Sequence, residues 1–298
     1  MAENEKQYSL IVQSLKGQLP SLPLVMDELL TIVSDPDVAL YAIRDIIKTD
    51  PSIYTNVLKI ANTVEYRGEE SDRITNLDDA MQKIGLEKVK RISLNTLVLD
   101  LHLHKKNSDY NPENLWVHSV GVGLISSKLS DFLNFQLKDH AYTCGLIHDI
   151  GKLAKFKFNR NSFENEVLLA KERKTNIVNI EKLEYGIRHA KLGAMIVNSW
   201  GISPIVELVT KWHHEEDRSK RDDVEDPEIH RLIDIVLMAN IIVNYLEFGN
   251  SGHNHDVLPS RKILKRLRMN ENDLNEFLEG SKETLEREKN ELSLFFKN

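Results

Sequence analysis

This sequence has a single cysteine, Cys144, so no disulfide can form within the chain and a reducing compartment is its natural setting. It also lacks any apolar run approaching the roughly 20 residues that a membrane span needs. Its opening stretch, MAENEKQYSL, has no basic segment feeding an apolar one and no small-residue cleavage site. Neither a signal peptide nor a membrane span is expected, and the cytoplasm is the expected location. Positive charge is not in excess either: 39 Lys and Arg stand against 46 Asp and Glu, a net charge of −7, which argues against a general nucleic-acid binder. The local exception, RKILKRLR from Arg261 to Arg268, reads more naturally as the solvated face of a helix. Internal repeats, low-complexity tracts and the period-two alternation of strands are scarce or missing.

What remains is a chain of 298 residues with 41% hydrophobic content, enough for two modest domains with a buried core. Helix signals recur along most of it. Three starts pair a capping side chain with proline at the first helical position: Asp35-Pro36, Asp50-Pro51 and Asn111-Pro112. Asn76 should cap LDDAMQKI, with Gly85 stopping it, and a long apolar helix should follow over about 87 to 104. The polar stretch HKKNSDYNPEN, 104 to 114, reads as a linker, and RSKRDDVEDPE, 218 to 228, as a charged loop. Further helical patterns are expected over about 112–132, 137–151, 189–199, 204–215 and 228–247, with a charged amphipathic helix from about Asp273 to the end. The division expected is 1–108, 109–250 and 251–298.

Polar residues fall on the inward faces of the helices after the linker. His118 shares a stripe with Leu115, Val122, Ile125 and Leu129, and His148 follows Leu137, Ala141 and Cys144 at helical steps. His189 precedes Leu192 and Ile196; His213 follows Val206 and Val209, with His214 beside it; Asn240 lies among Ile233, Val236 and Val243. Burying such a group unpaired costs about 1–3 kcal/mol, so these residues should meet. A divalent cation is the simplest shared partner, because imidazole and carboxylate suit zinc, iron, nickel and manganese. Asp149 would bind or bridge it, with His118 and His148 on one side and His189, His213 and His214 on the other. Lys152, one turn on, would face an anion on the metal. A lone histidine on an apolar stripe is more often a core residue, but the doublets His148-Asp149 and His213-His214 are hard to explain as packing. His102, His104, His140 and His230 have no such company and read as surface residues. His253 and His255 read as part of a solvated loop, and Cys144 as a small core residue. Trp116, Trp200 and Trp212 flank the histidines and fit either a pocket wall or an ordinary core.

The order WVHS, GLIHDIGK, RHAKLG, WGISP and KWHH resembles the HD superfamily of metal-dependent phosphohydrolases, and more closely its HDOD branch of bacterial signalling proteins. The earlier stretches LPSLPLVMDELLTIVSDP, IIKTDPSIYTNVLKIANTVEY and ITNLDDAMQKIGLEKVKRISL are similar to the HDOD helical region, so the resemblance covers roughly residues 15 to 247. It implies an all-α protein with an N-terminal helical lobe packed on an HD-like lobe and a C-terminal helical extension. It implies metal ligands at His118, His148 and Asp149. Two-metal relatives that cleave cyclic di-GMP would add His189, His213 and His214, place Lys152 near the phosphate, and carry an aspartate where Asn240 stands. The Gly-Tyr-Pro tripeptide of those enzymes occurs nowhere in this chain, and Asp234, six residues from Asn240, faces elsewhere.

Two divalent ions would bring four positive charges against Asp149 as the one negative ligand, which disfavours full occupancy. The expectation is therefore a signalling module that docks partner proteins, with little or no catalysis at Asp149 and Lys152. A metal-dependent phosphodiesterase acting on a nucleotide or cyclic dinucleotide is the alternative. Nucleic-acid contact through Arg261 to Arg268 is a weaker third reading. The C-terminal helix could pack on its own lobe or on a second copy of the chain.

Overall fold

The computed structural model describes residues 2–15, 40–68, 73–102, 110–252 and 257–296. Among these residues it contains helices, turns and loops and no strand, so the all-α expectation holds. Among them, no helix is long and apolar enough to cross a membrane. The Asp35-Pro36 start and the residues His104, His253 and His255 lie outside the described residues.

The chain divides into two compact units, one of Leu22–Leu101 with Thr284–Asn298 and the other of Met1–Ser21 with His102–Glu283. This differs from divisions after residues 108 and 250, because each unit takes one end of the chain.

In the first unit the local signals act as expected. The Asp50 carboxylate accepts from the backbone N–H groups of Ser52 and Ile53 and starts the Pro51–Ala61 helix. Asn76 caps Leu77–Ile84 through the Asp79 N–H, and Gly85, at φ 82°, ends it. Leu86–His102 follows. Ile53, Val57 and Ile60 are buried, as are Leu77, Ala80 and Met81 on the helix that packs against them. Lys88 is held between Glu288 and Glu291 of the C-terminal stretch.

The second unit is built around the Pro112–Phe132 helix, capped by the Asn111 amide oxygen at the Glu113 N–H. It packs on Lys138–Ile147 and Pro227–Tyr245. A second group packs Ile150–Phe158 against His189–Ser199, and the latter against Pro204–Trp212. Two glycine crossings set the spacing. A Cβ on Gly145 would lie 2.7 Å from the Cα of Gly123, and one on Gly151 would lie 1.9 Å from the carbonyl oxygen of His189. The helices carrying His118 and His148, and those carrying Lys152 and His189, approach closely because these positions have no side chain. Ala2–Leu15 lies against this second group, where Tyr8 Oη accepts from the Arg188 N–H at 2.8 Å, one residue before His189.

Several details differ from the sequence pattern. The helix expected over 137–151 is broken: Lys138–Ile147 ends, His148 and Asp149 form the turn, and Ile150–Phe158 begins. Arg160–Glu172 is an additional helix, polar on most faces and capped by Asn159. His102 is buried, not a surface residue, because it ends a helix whose 92–99 stretch is buried without interruption. The charged loop after Lys211 conceals a fully buried Arg221. The basic stretch forms the helix Arg261–Leu267, whose Ile263, Leu264 and Leu267 face inward.

Candidate metal centre

The second unit brings every predicted site residue to one place. His118, His148, Asp149, Lys152, His189, His213 and Asn240 are buried, and His214 is half-buried. Asp149 sits at the middle because the turn between two helices lets it and His148 point the same way. Its two oxygens face different sets of groups. Oδ1 lies 3.3 Å from His189 Nε2 and 3.4 Å from His213 Nε2. Oδ2 lies 3.2 Å from His148 Nε2 and 3.9 Å from His118 Nε2, and it accepts from Lys152 Nζ at 2.7 Å. His214 Nε2 stands 3.0 Å from His189 Nε2. Two overlapping groups suited to a metal follow, Asp149 with His189, His213 and His214, and Asp149 with His118 and His148.

The outer partners of the histidines fix which nitrogen faces inward. His148 Nδ1 donates to the Gly145 carbonyl at 2.6 Å, and His213 Nδ1 donates to the Thr210 carbonyl at 2.7 Å. His189 Nδ1 lies 2.9 Å from both oxygens of Glu181, which also accepts from the His189 backbone N–H. With Nδ1 carrying the proton, each Nε2 turns an unshared pair toward Asp149. His148 Nε2, His213 Nε2 and Asp149 Oδ1 have no hydrogen-bond partner though fully buried. Acceptors aimed at acceptors in a dry pocket leave a cost that a cation removes, so the donor set fits a divalent metal ion.

Electrostatics follow from the same packing. Burial pushes the Asp149 carboxyl up, but His148, Lys152 and hydrogen bonds outweigh it and hold the group well below the usual carboxylate range. Burial, with neighbouring positive charge, pushes His118 down to about 3 and His213 down to about 4. His214 lies well below its ordinary value for the same reasons. His189 goes the other way, because Glu181 and Asp149 outweigh its burial. Glu181 falls to about 2, as the pull of His189 and Lys155 exceeds the effect of burial.

Asn240 and Lys152 depart from a simple ligand picture. Asn244 Nδ2 donates to the backbone carbonyl of Asn240 at 2.9 Å and to its Oδ1 at 2.8 Å. A backbone carbonyl can only accept, so the Asn244 amide is fixed, and Ser251 Oγ lies 2.7 Å from its other end. Asn240 Oδ1 in turn lies 3.1 Å from His118 Nε2. His118 therefore donates from Nε2 and keeps its unshared pair on Nδ1, which has no partner. Lys152, expected to face a bound anion, instead directs its ammonium to Asp149.

Sequence reasoning missed the supporting residues. Glu181 opens a π-helical turn, Glu181–Tyr185, eight residues before His189 and off its helix, so no periodic pattern linked the two. Lys155 bonds Glu181 at 2.8 Å and also reaches Glu166 and the Ile187 carbonyl. Of the tryptophans, Trp116 is fully buried while Trp200 and Trp212 are half-buried, and Cys144 is a buried core residue whose thiol burial pushes well up. A cleft of about 440 Å³ opens beside the centre, lined by His214 and Asn240 together with Lys174, Asn176, Asn179 and Asn244.

An all-α unit with a conjoined histidine and aspartate cluster defines a protein of the HD type. Residues 19–216 match the HDOD domain, and the chain belongs to the HDOD family. It resembles an HDOD domain protein of unknown function from Geobacter sulfurreducens, at 22% identity and TM-score 0.77, covering 97% of this chain and 98% of that one. A protein from Shewanella amazonensis SB2B, provisionally assigned as a phosphohydrolase, superposes at TM-score 0.64 with 20% identity over 96% of both chains. A protein from Marinobacter aquaeolei VT8, provisionally assigned to signal transduction, gives TM-score 0.77 at 16% identity, over 98% of this chain and 66% of that one. An uncharacterised protein of Treponema pallidum (strain Nichols) is 22% identical over 233 residues, 77% of this chain; the match spans 43% of that protein's length.

Proposed function

We propose that this HDOD protein is a metal-binding signalling module: its histidine cluster holds iron, manganese, zinc or nickel, its cleft receives a phosphate-bearing ligand of nucleotide type, and partner proteins read the result, with turnover slow or absent. The observation that carries this reading is Asn240, a neutral amide bonded to His118 in the place where a carboxylate would add a negative charge and accept a proton. Lys152 supports it, because an ammonium bound to Asp149 is not free to neutralise charge on a phosphoryl group. Asp149, on which His148, His189 and His213 converge, acts in this reading as a metal ligand and not as a proton donor.

A specific observation favours the alternative, a metal-dependent phosphohydrolase. Half-buried His214 sets the cluster on the wall of the cleft, where a ligand's phosphate could reach it. When bound, a divalent metal would supply Lewis acidity and a water acidified toward neutrality. His189, His213 and His214 would orient that centre, and Lys174 and the cleft asparagines would position the ligand.

The deciding experiment pairs metal content with turnover of a chromogenic phosphodiester in Mn²⁺- or Fe²⁺-loaded protein, with Asp149→Ala as control. Metal that disappears in Asp149→Ala, with hydrolysis no faster than in that variant, supports the signalling module. Hydrolysis that Asp149→Ala abolishes would replace it with the enzyme.

A further inference from the structure

Resting on the reading that the cluster holds a divalent metal, we propose that the centre is mononuclear: the ion is held by Asp149 Oδ1, His189, His213 and His214, while the Lys152 ammonium takes the place of a second cation on Asp149 Oδ2. The two sides of Asp149 differ in spacing, in lone pairs and in charge.

Spacing is the first. Metal–ligand bonds of about 2.0–2.1 Å in a tetrahedral site keep ligand atoms roughly 3.3–3.4 Å apart, and an octahedral edge is about 3.0 Å. His189 Nε2 and His213 Nε2 lie 3.3 and 3.4 Å from Oδ1, and His214 Nε2 lies 3.0 Å from His189 Nε2. These atoms already stand at ligand separation. On the Oδ2 side His148 Nε2 also stands at ligand separation, 3.2 Å, but His118 Nε2 is 3.9 Å away, wider than such an edge.

Lone pairs are the second. His189 and His213 have their Nδ1 protons tied to Glu181 and to the Thr210 carbonyl, so each Nε2 carries an unshared pair; that of His189 faces His214 Nε2 at 3.0 Å, and the proton between them must leave before both ligate one ion. His118 spends its Nε2 proton on Asn240 Oδ1 and offers no pair in that direction. Only His148 keeps one beside Oδ2.

Charge is the third. Lys152 Nζ touches Oδ2 at 2.7 Å with both groups fully buried. A divalent ion on the same oxygen would sit against that ammonium in a low-dielectric pocket, where like charges repel strongly. Outer negative charge backs the Oδ1 side instead, since Glu181 stands behind His189. One divalent ion and the Lys152 ammonium then face Asp149 and Glu181, the latter shared with Lys155; a second ion would add two charges with the neutral Asn240 as its nearest substitute for an acidic ligand.

The test is Mn²⁺ titration of full-length, chelator-stripped protein, followed by elemental analysis and electron paramagnetic resonance. One ion per chain with an uncoupled spectrum is expected. His118→Ala should change the Mn²⁺ affinity by less than about threefold, whereas His213→Ala should weaken it by more than about a hundredfold, beyond the usual effect of outer partners. Lys152→Met combined with Asn240→Asp should raise the stoichiometry toward two. Two ions per chain, or a spin-coupled pair, in the unmodified protein would overturn the proposal while leaving metal binding intact, as would loss of the ion in His118→Ala with retention in His213→Ala. Binding of no Mn²⁺ or Zn²⁺ at all would overturn both this proposal and the reading on which it rests. The stoichiometry and spectrum of the unmodified protein decide the matter even if a variant fails to fold.

Discussion

Asp149 and Asp234 are both buried aspartates in the same unit, yet their surroundings differ in kind. Asp234 is saturated: Arg218 and Arg266 donate to Oδ2, and Arg221 and Arg266 to Oδ1, at 2.6–3.1 Å. Arg221 also donates to the carbonyls of Glu215 and His230, so this cluster ties the loop after His213-His214 onto the Pro227–Tyr245 helix. Asp149 is unsaturated: its Oδ1 has no hydrogen-bond partner and faces imidazole nitrogens that have none to give. A buried carboxylate surrounded by donors closes a structure, and one surrounded by acceptors awaits a cation. The distinction lies in the neighbours, since the two residues are chemically identical.

The comparison can be broken or sharpened by experiment. Asp234→Ala should have the largest effect on stability, about 3–5 kcal/mol, because it strands the buried Arg221 and removes the partner of two half-buried arginines, and a lowered melting temperature would show it. Its carboxyl is held below 3.8, since the arginine hydrogen bonds and charges outweigh burial. Its contribution should therefore be complete above about pH 3.8, the usual value, and be lost as pH falls further, where the unfolded chain takes up the proton first. Acid denaturation of Asp234→Asn should lack that component. Next comes metal removal. At free metal a hundredfold above Kd, chelation should cost about 2.7 kcal/mol, read as a drop in melting temperature that Asp149→Ala does not show. Glu181→Gln should then weaken metal binding by roughly 10–100-fold, as outer partners of ligating histidines do, and should also lower the melting temperature of the metal-free protein, because Glu181 pairs with the buried Lys155. Smallest of all, Asn111→Ala removes the cap of the helix carrying His118 and should cost about 1 kcal/mol by chemical denaturation while leaving metal stoichiometry unchanged.

Much of this was legible in residue order. The caps at Asp50, Asn76 and Asn111 were visible because a cap is a local hydrogen bond between residues two or three apart. The inward histidines were visible because helical faces repeat at fixed steps. Arg160–Glu172 was not, since its apolar residues are too few to mark a face. Arg221 was hidden in a run of charges that composition assigns to solvent, and His102 in a helix buried beyond the one stripe that periodicity reveals. Glu181, Lys155 and Ser251 act on the centre through contacts that follow no period, and nothing in their local sequence marked them.

The sequence by itself determined the helices, their ends, and which polar residues each would turn inward, because these depend on propensities and contacts within a few residues. Only the tertiary structure decided what those residues do on meeting. It set the two oxygens of Asp149 toward histidines of different helices, tied His189 Nδ1 to Glu181 and turned His118 toward Asn240, whereas the bonds of His148, His213 and Lys152 reach only three residues back along the chain. The longer-range contacts join groups on different elements, whose separation follows from helix crossings such as Gly123–Gly145 and Gly151–Gly193, and a crossing is a property of two packed surfaces that no single segment contains.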